Sequence, residues 1–290
     1  MSDRSHDVEE VDIPRKVRVT LARAAVQVLA DDVGADVLHI KGEVVDVRLR
    51  PTPTTGSDVD ALVRPAHVPR LDRVLREHDW RVYSSFAYGS PFGHAQTYVH
   101  STWGFFDLHR SFPGIRLRPA AAFDLMWDGR QEIRLPGVDA RVPAVDLQAV
   151  LLVLNAARNR EDDGDPVTTW VDEPGLDPAV VAATVDRLQA HVAFAAAFGD
   201  LDRYRGDRDY GLWKVITQGG TRSAEWWARV RSARTVGEAL RIIGRAPLVN
   251  VESLGHRLGR HPTRRDIATE FLARPVRAVR EVSRRSDRSS

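Results

Sequence analysis

The spacing of apolar residues predicts that the chain opens with a helix and a strand. Residues 14–30 place apolar side chains every three or four positions, so we expect an amphipathic helix that ends near Gly34. The period then changes, and the apolar run at 37–40 predicts a short strand that stops at Gly42. A short second helix is expected over residues 43–49.

The next segment predicts further strands of the same unit. Residues 57–63 alternate polar and apolar side chains, as a half-buried strand does, and residues 67–80 have the spacing of a helix. In chain order, further strands are predicted at 81–85, 95–100 and 104–110, followed by a hairpin at 131–143.

From residue 144 the pattern becomes helical. Residues 144–158 are apolar on nearly every side, which is typical of a buried central helix. After a polar loop at 159–176, helices are predicted over 177–198, 208–218, 223–232, 235–244 and 263–283. We therefore predict an α+β protein, with its units in this order: a disordered N-terminus at 1–13, an α/β unit at 14–143, a helical unit at 144–283 and a disordered tail at 284–290.

Composition narrows the class of protein. Of the 290 residues, 43% are hydrophobic and 28% charged, which excludes a mainly disordered chain, a collagen-like repeat and a coiled-coil rod. The absence of cysteine excludes disulfides, thiolate zinc sites and cysteine nucleophiles. No signal peptide and no apolar stretch of ~18 residues is present, so we expect a cytoplasmic protein that does not enter the membrane. A net charge of +2 gives no strong signal for nucleic-acid binding.

The candidate chemistry begins with one pair of aspartates. Asp-x-Asp occurs four times, and three of these pairs lie in polar sequence typical of solvated turns. Asp58 and Asp60 instead lie in a predicted strand, where a period of two places both carboxylates on one face, about 7 Å apart. Two such carboxylates repel each other unless a cation lies between them, so the pair indicates a divalent metal site.

A third carboxylate follows in another predicted strand. Asp107 stands between aromatic and apolar neighbours, where a purely structural aspartate is uncommon. If the two strands are adjacent, Asp107 completes an all-oxygen site for Mg²⁺ or Mn²⁺. The alternative is that Asp107 caps a turn or pairs with Arg110. His109, on the same strand face, either contacts substrate, orients Asp107, or is a structural histidine bonded to a backbone carbonyl.

The turn at Lys41 and Gly42 is a candidate phosphate site. A strand, a turn and a helix in succession offer backbone N–H groups and a positive helix end to phosphate oxygens. Lys41 is one of only three lysines among 42 basic residues, which suggests that arginine would not serve in its place. If Lys41 binds phosphate, its removal is expected to leave the stability of the nucleotide-free protein almost unchanged.

Taken together, these motifs resemble the polymerase-β-type nucleotidyltransferase superfamily. The segments IKG, SDVDALV and FFDLH are similar to motifs of the uncharacterised nucleotidyltransferase family, and the resemblance covers about residues 14–159. It matches Asp58 and Asp60 to the metal-binding pair, Asp107 to the third carboxylate, and Lys41 with Gly42 to the Gly-Ser turn of the superfamily.

Two parts of the chain depart from that pattern. Gly56 and Ser57 also form a Gly-Ser pair, but they touch the aspartate pair directly, whereas the superfamily's turn normally lies one helix earlier. The phosphate turn is therefore assigned to Gly42, and Ser57 and His109 are kept as candidate nucleotide contacts. The helical unit shows no motif that matches.

The resemblance implies a fold and an activity. The fold would be a small mixed sheet with flanking helices, followed by a helical domain. The activity would be transfer of a nucleoside monophosphate from an NTP to an acceptor hydroxyl, with release of pyrophosphate and with Mg²⁺ or Mn²⁺ bound by the three aspartates. The acceptor is left open between a small molecule, a protein and an RNA.

Two other classes of function remain as alternatives. The first is a non-catalytic nucleotide-binding or partner-binding subunit on the same fold. The second is a metal-dependent glycosyltransferase, which also uses Asp-x-Asp to hold a nucleotide sugar. Glycosyltransferases usually place the motif after a longer nucleotide-binding region, and only 57 residues precede Asp58.

Overall fold

The structure, a computed structural model, describes residues 13–50, 56–87, 92–158 and 176–245, together with a few positions between 254 and 269. The strands of the described part are β1 (Val37–Ile40), β2 (Asp58–Val63), β3 (Arg81–Ser84), β4 (Ala95–His100), β5 (Gly104–His109), β6 (Gln131–Leu135) and β7 (Val138–Val142). Its α-helices are α1 (Arg15–Asp32), α2 (Val68–Glu77), α3 (Pro119–Asp128), α4 (Val145–Arg158), α5 (Pro178–Leu188), α6 (His191–Ala197), α7 (Tyr210–Gln218), α8 (Arg222–Ser232) and α9 (Val236–Arg245). None of these helices is long and apolar enough to cross a membrane.

The first five strands form one mixed sheet in the order β1-β2-β5-β4-β3. Strands β2 and β5 are parallel, and the other neighbours in this sheet are antiparallel. Strands β6 and β7 form a separate hairpin, as the sequence predicts. The mixed sheet and the many helices confirm the α+β class, and the expected adjacency of the two aspartate-bearing strands is also confirmed.

The two faces of the sheet pack against two different cores, and strands β1 and β2 contribute apolar side chains to both. On one face Val59, Ala61 and Phe106 pack with α1 and α2. On the other face Leu38 and Leu62 pack with residues of α3, α4, α5 and α6. This second core passes from the sheet into the helical half, and the division predicted near residue 143 stays a prediction.

At Gly114 the backbone of the first half lies close against the helical half. Its φ of 93° is in the region that favours glycine. A Cβ at this position would lie 2.6 Å from Ala193 Cβ, 3.1 Å from Leu154 Cδ2 and 3.2 Å from Trp213 Cζ2. No side chain fits there without displacing the helices.

The helix predicted over residues 43–49 does not form. A single 3₁₀ turn at Gly42–Val44 takes its place. The reason is tertiary, since the Asp46 N–H donates to Gln148 Oε1 of α4 at 2.9 Å, and the Asp46 carboxylate accepts from Arg48. The positive helix end expected beside Lys41 is therefore absent from this segment.

Other differences concern the helices. The helix predicted over 177–198 is divided into α5 and α6, because Gln189 adopts a left-handed conformation with φ of 53°. Helix α3, which begins at Pro119, was not predicted. The segments 1–13, 159–176, 263–283 and 284–290 lie wholly or largely outside the described residues.

Candidate active site

Two adjacent parallel strands bring the predicted carboxylates together. Asp60 of β2 is directly opposite Asp107 of β5, and Asp58 is two residues earlier on the same face. One ligand atom from each of Asp60, Asp107 and His109 lies within 4.8 Å of the others. These residues offer the oxygen and nitrogen donors that a divalent cation can use. This donor set fits a metal ion, and its third member is His109, whereas the sequence predicts Asp58 as the ligand beside Asp60 and Asp107.

Asp60 is the most strongly held member of this cluster. Its Oδ1 accepts from Lys41 Nζ at 2.7 Å and lies 2.8 Å from His109 Nε2. Burial alone would raise the pKa of Asp60, but the charge of Lys41 and the contact with His109 outweigh it and hold this pKa well below its usual range. Asp60 is therefore ionised.

His109 supports Asp60 from inside the protein. Burial lowers the pKa of His109, although the hydrogen bond to Asp60 opposes this shift. A neutral His109 that donates from Nε2 satisfies the Asp60 oxygen. Its Nδ1 is buried without a hydrogen-bond partner. This geometry favours orientation of Asp60, rather than of Asp107, as the role of His109.

Asp58 is the carboxylate of the cluster whose pKa is raised. Burial raises its pKa first, the charges of Asp60 and Asp107 raise it further, and the result is a pKa of about 6. Lys41 and the Ser57 hydroxyl, 3.2 Å from Asp58 Oδ1, oppose that shift only in part. A divalent cation between the carboxylates would offset the repulsion that adds to this shift, and so would lower the pKa of Asp58.

The contribution of Asp58 to the free energy of unfolding of the metal-free protein is expected to fall as the pH rises from about 4 to about 6. Folded Asp58 keeps its proton up to a pKa of about 6, whereas the unfolded side chain loses it near 3.8. At Asp58 the folded state thus binds more protons in this window, and the stability that this group contributes at low pH is lost as the pH passes its folded pKa. Urea unfolding of wild type and Asp58→Asn across the window measures the difference, and equal slopes would contradict the assignment.

Asp107 is positioned by the neighbouring strand. Thr97 of β4 is opposite Asp107, and its Oγ1 donates to Asp107 Oδ1 at 2.6 Å. Arg110, the suggested structural partner of Asp107, donates instead to the Gly93 carbonyl at 3.1 Å and lies over the Phe86 ring. The Asp107 carboxylate is half-buried and on the face shared with Asp58 and Asp60.

The turn at Lys41 and Gly42 forms a small cradle beside this cluster. Lys41 has φ of 59° and ψ of −179°, a conformation that costs a residue with a side chain about 1–3 kcal/mol. Gly42 has φ of 61°, and a Cβ there would lie 3.4 Å from Arg23 Nη2 and 4.0 Å from the Gly56 N. The space that this glycine leaves open is thus lined by a guanidinium and a backbone N–H.

Arg23 of α1 is a site residue that the sequence analysis missed. It is 1% exposed, and its Nη1 lies 3.3 Å from both the Asp60 carbonyl oxygen and His39 Nδ1. Burial lowers the pKa of Arg23, and the charges of Asp60, Glu43 and Asp58 oppose this. The available signal was an arginine on the apolar face of a helix, between Val19 and Val26.

Arg158 is a second missed residue, and it comes from the helical half. It ends α4, and its Nη1 contacts His94 Nε2 at 2.7 Å. Burial lowers the pKa of Arg158, while the negative charges of Asp60 and Asp107 raise it. No local pattern marks this residue, because its position depends on how α4 packs against the sheet.

The structure therefore brings all of the predicted site residues to one region. Lys41 and His109 contact Asp60, Ser57 contacts Asp58, and Asp107 is opposite Asp60 across the strand pair. Gly42 lies beside Arg23 at the adjoining turn. Their roles in binding or catalysis stay predictions.

Comparisons with known proteins give a limited result. No protein-family model matches the chain, and no curated protein matches it. Six chains among the solved structures match. One is the crystal structure of the lincosamide antibiotic adenylyltransferase LnuA with lincomycin bound, a nucleotidyltransferase, at 14% sequence identity and a TM-score of 0.34. That similarity covers 45% of this chain and 83% of the other, and it assigns neither a family nor an activity to this protein.

Proposed function

We propose that the protein is a metal-dependent nucleotidyltransferase of the polymerase-β type. It would transfer a nucleoside monophosphate from an NTP to a hydroxyl of an acceptor and release pyrophosphate. The observation that carries this proposal is the register of β2 and β5, which aligns Asp60 with Asp107 and leaves Asp58 on the same face. The turn at Lys41 and Gly42, which would bind the phosphates, lies beside Asp60.

The metal would be held by Asp58, Asp60 and Asp107. Bound there, Mg²⁺ or Mn²⁺ offsets charge on the reacting phosphoryl group and lowers the pKa of an acceptor hydroxyl. Thr97 and His109 keep the Asp107 and Asp60 carboxylates in place by hydrogen bonds. Such fixed partners limit the reorganisation that is needed during the reaction.

The phosphates would be held by cations from three parts of the chain. Lys41 reaches from the end of β1, Arg23 lies beneath the Gly42 turn, and Arg158 arrives from the helical half. In phosphoryl transfer most of the catalysis is positioning and charge stabilisation, so no side-chain nucleophile is required. The three cations would supply that stabilisation.

The acceptor stays open between a small molecule, a protein and an RNA. To identify the acceptor, the protein is incubated with each α-labelled NTP, Mg²⁺ and a cell lysate. The small molecules, the proteins and the RNA of the mixture are then separated. We expect label in one fraction with wild type and none with Asp58→Asn. If wild type binds Mg-NTP but labels no fraction, the protein is a non-catalytic nucleotide-binding subunit and the proposed activity is wrong. A parallel incubation uses labelled nucleotide sugars, and label transferred in that incubation alone would favour the glycosyltransferase alternative.

A further inference from the structure

The central strand of the sheet carries an exposed aromatic ring. Phe105 of β5 is 39% exposed, although β5 is the third of five strands and the next residue, Phe106, is fully buried. The Tyr83 ring meets Phe105 edge to face, with ring centroids 5.3 Å apart and an interplanar angle of 78°. Tyr83 is itself 40% exposed. The two rings form an open aromatic surface, which we call the Phe105 platform.

The position of the Phe105 platform relative to the carboxylates is fixed by strand register. Phe105 is directly opposite Asp58, so both side chains lie on the same sheet face. The turn that contains Lys41 lies at the end of β1, on the opposite side of β2. Crossing the sheet therefore leads from the phosphate cradle to Asp58 and then to Phe105. Two strand spacings, about 10 Å, separate the two ends of this path.

We propose that the Phe105 platform stacks against the base of the bound nucleotide. This inference rests on the proposed function. An NTP is a linear series of β- and γ-phosphates, α-phosphate, ribose and base. With its terminal phosphates in the cradle and its α-phosphate over Asp58, the nucleoside extends toward β5. Phe105 then lies under the base, and Tyr83 fixes the orientation of the Phe105 ring by its edge contact.

The effect of stacking on the affinity for the nucleotide can be measured. A base on an aromatic side chain is worth about a 5- to 150-fold change in affinity upon substitution by alanine, the equivalent of 1–3 kcal/mol. Because the contact is to the π face, it would hold every base, with a modest preference for the larger purines. The platform would therefore serve affinity more than discrimination between bases.

The test measures the Mg²⁺-dependent binding of two ligands by calorimetry. One is the α,β-methylene analogue of ATP, which does not react, and the other is inorganic tripolyphosphate, which has no base. The proteins are wild type, Phe105→Ala and Phe198→Ala. Phe198 is a matched control, since it is 38% exposed and also contacts one aromatic ring, that of Phe194, but lies at the end of α6.

We expect Phe105→Ala to weaken the ATP analogue by about 5- to 150-fold and to leave tripolyphosphate binding within about twofold. Phe198→Ala should change neither. An unchanged affinity for the ATP analogue would overturn the proposal. Equal losses for both ligands would also overturn it, because Phe105 would then act through the carboxylate cluster. If wild type binds neither ligand, it is the proposed function that fails.

Discussion

Replacing Asp107 by asparagine is expected to slow nucleotidyl transfer by about a thousandfold while the protein stays folded. The amide has the shape of the carboxylate, and its oxygen can still accept from Thr97 Oγ1, which now donates to Asp107 at 2.6 Å. The negative charge that would hold the metal near the acceptor hydroxyl is lost. Because this interaction is strongest when charge develops in the reaction, the rate should fall far more than the stability.

The measurement for Asp107→Asn combines the rate of transfer with the melting temperature of the ligand-free protein. A suitable control is Asp139→Asn, since Asp139 is an exposed carboxylate of the β6–β7 hairpin that pairs with Arg134. The control should keep the wild-type rate. A rate for Asp107→Asn within about tenfold of wild type would remove Asp107 from the reaction.

The second large effect is expected on the stability of the protein, when Lys41 is replaced by methionine. The side chains of Lys41 and Asp60 are only 17% and 10% exposed, and they form an ion pair at 2.7 Å. Removing one partner of a buried pair leaves the other charge uncompensated, which costs about 3 kcal/mol in the free energy of unfolding. Mg-NTP binding should weaken as well, since the same ammonium group lies beside the phosphate cradle.

A double-mutant cycle distinguishes this effect from general damage. Urea unfolding is measured for wild type, Lys41→Met, Asp60→Asn and the double variant, with the exposed Lys16→Met as control. The double variant should recover part of the stability lost in Lys41→Met, because no unpaired charge is left. A Lys41→Met protein as stable as wild type would contradict the ion pair.

The case of Lys41 shows which features of the site could be predicted from the sequence and which could not. Alternation along a strand is a local property, so the shared face of Asp58 and Asp60 followed from the sequence alone. The ion pair with Asp60 did not, because it depends on β1 lying beside β2 in register. If Lys41 is a phosphate ligand, the sequence predicts little influence on stability, whereas the ion pair in the structure predicts a large one.

The difference between local pattern and long-range pairing also explains which other site residues could be predicted. Asp107 could be predicted from its unusual apolar neighbours, but its place opposite Asp60 needed the parallel pairing of β2 with β5. Arg23 left a readable signal, a charge on an apolar helix face. Arg158 left none, since only the packing of α4 brings it to the carboxylates.

Two helices predicted from local apolar spacing do not form as expected, because the tertiary structure determines the backbone conformation there. The helix predicted over 43–49 is replaced by a 3₁₀ turn because Gln148, about a hundred residues away, takes the Asp46 N–H. The long helix predicted over 177–198 is interrupted at Gln189, whose left-handed conformation no apolar period reveals. In both places the apolar spacing was compatible with a helix that the tertiary structure does not allow.

The tight approach at Gly114 has a consequence for motion. The backbone there is in van der Waals contact with side chains of α4, α6 and α7, and the apolar core continues from the sheet into those helices. A hinge between the halves would open a void at this contact, so we expect them to move as one body. On the proposed function, Arg158 of α4 would then keep its distance from the carboxylates of the sheet throughout turnover. Substrates would bind to a site that is already in its working arrangement, and little ordering entropy would be lost on binding.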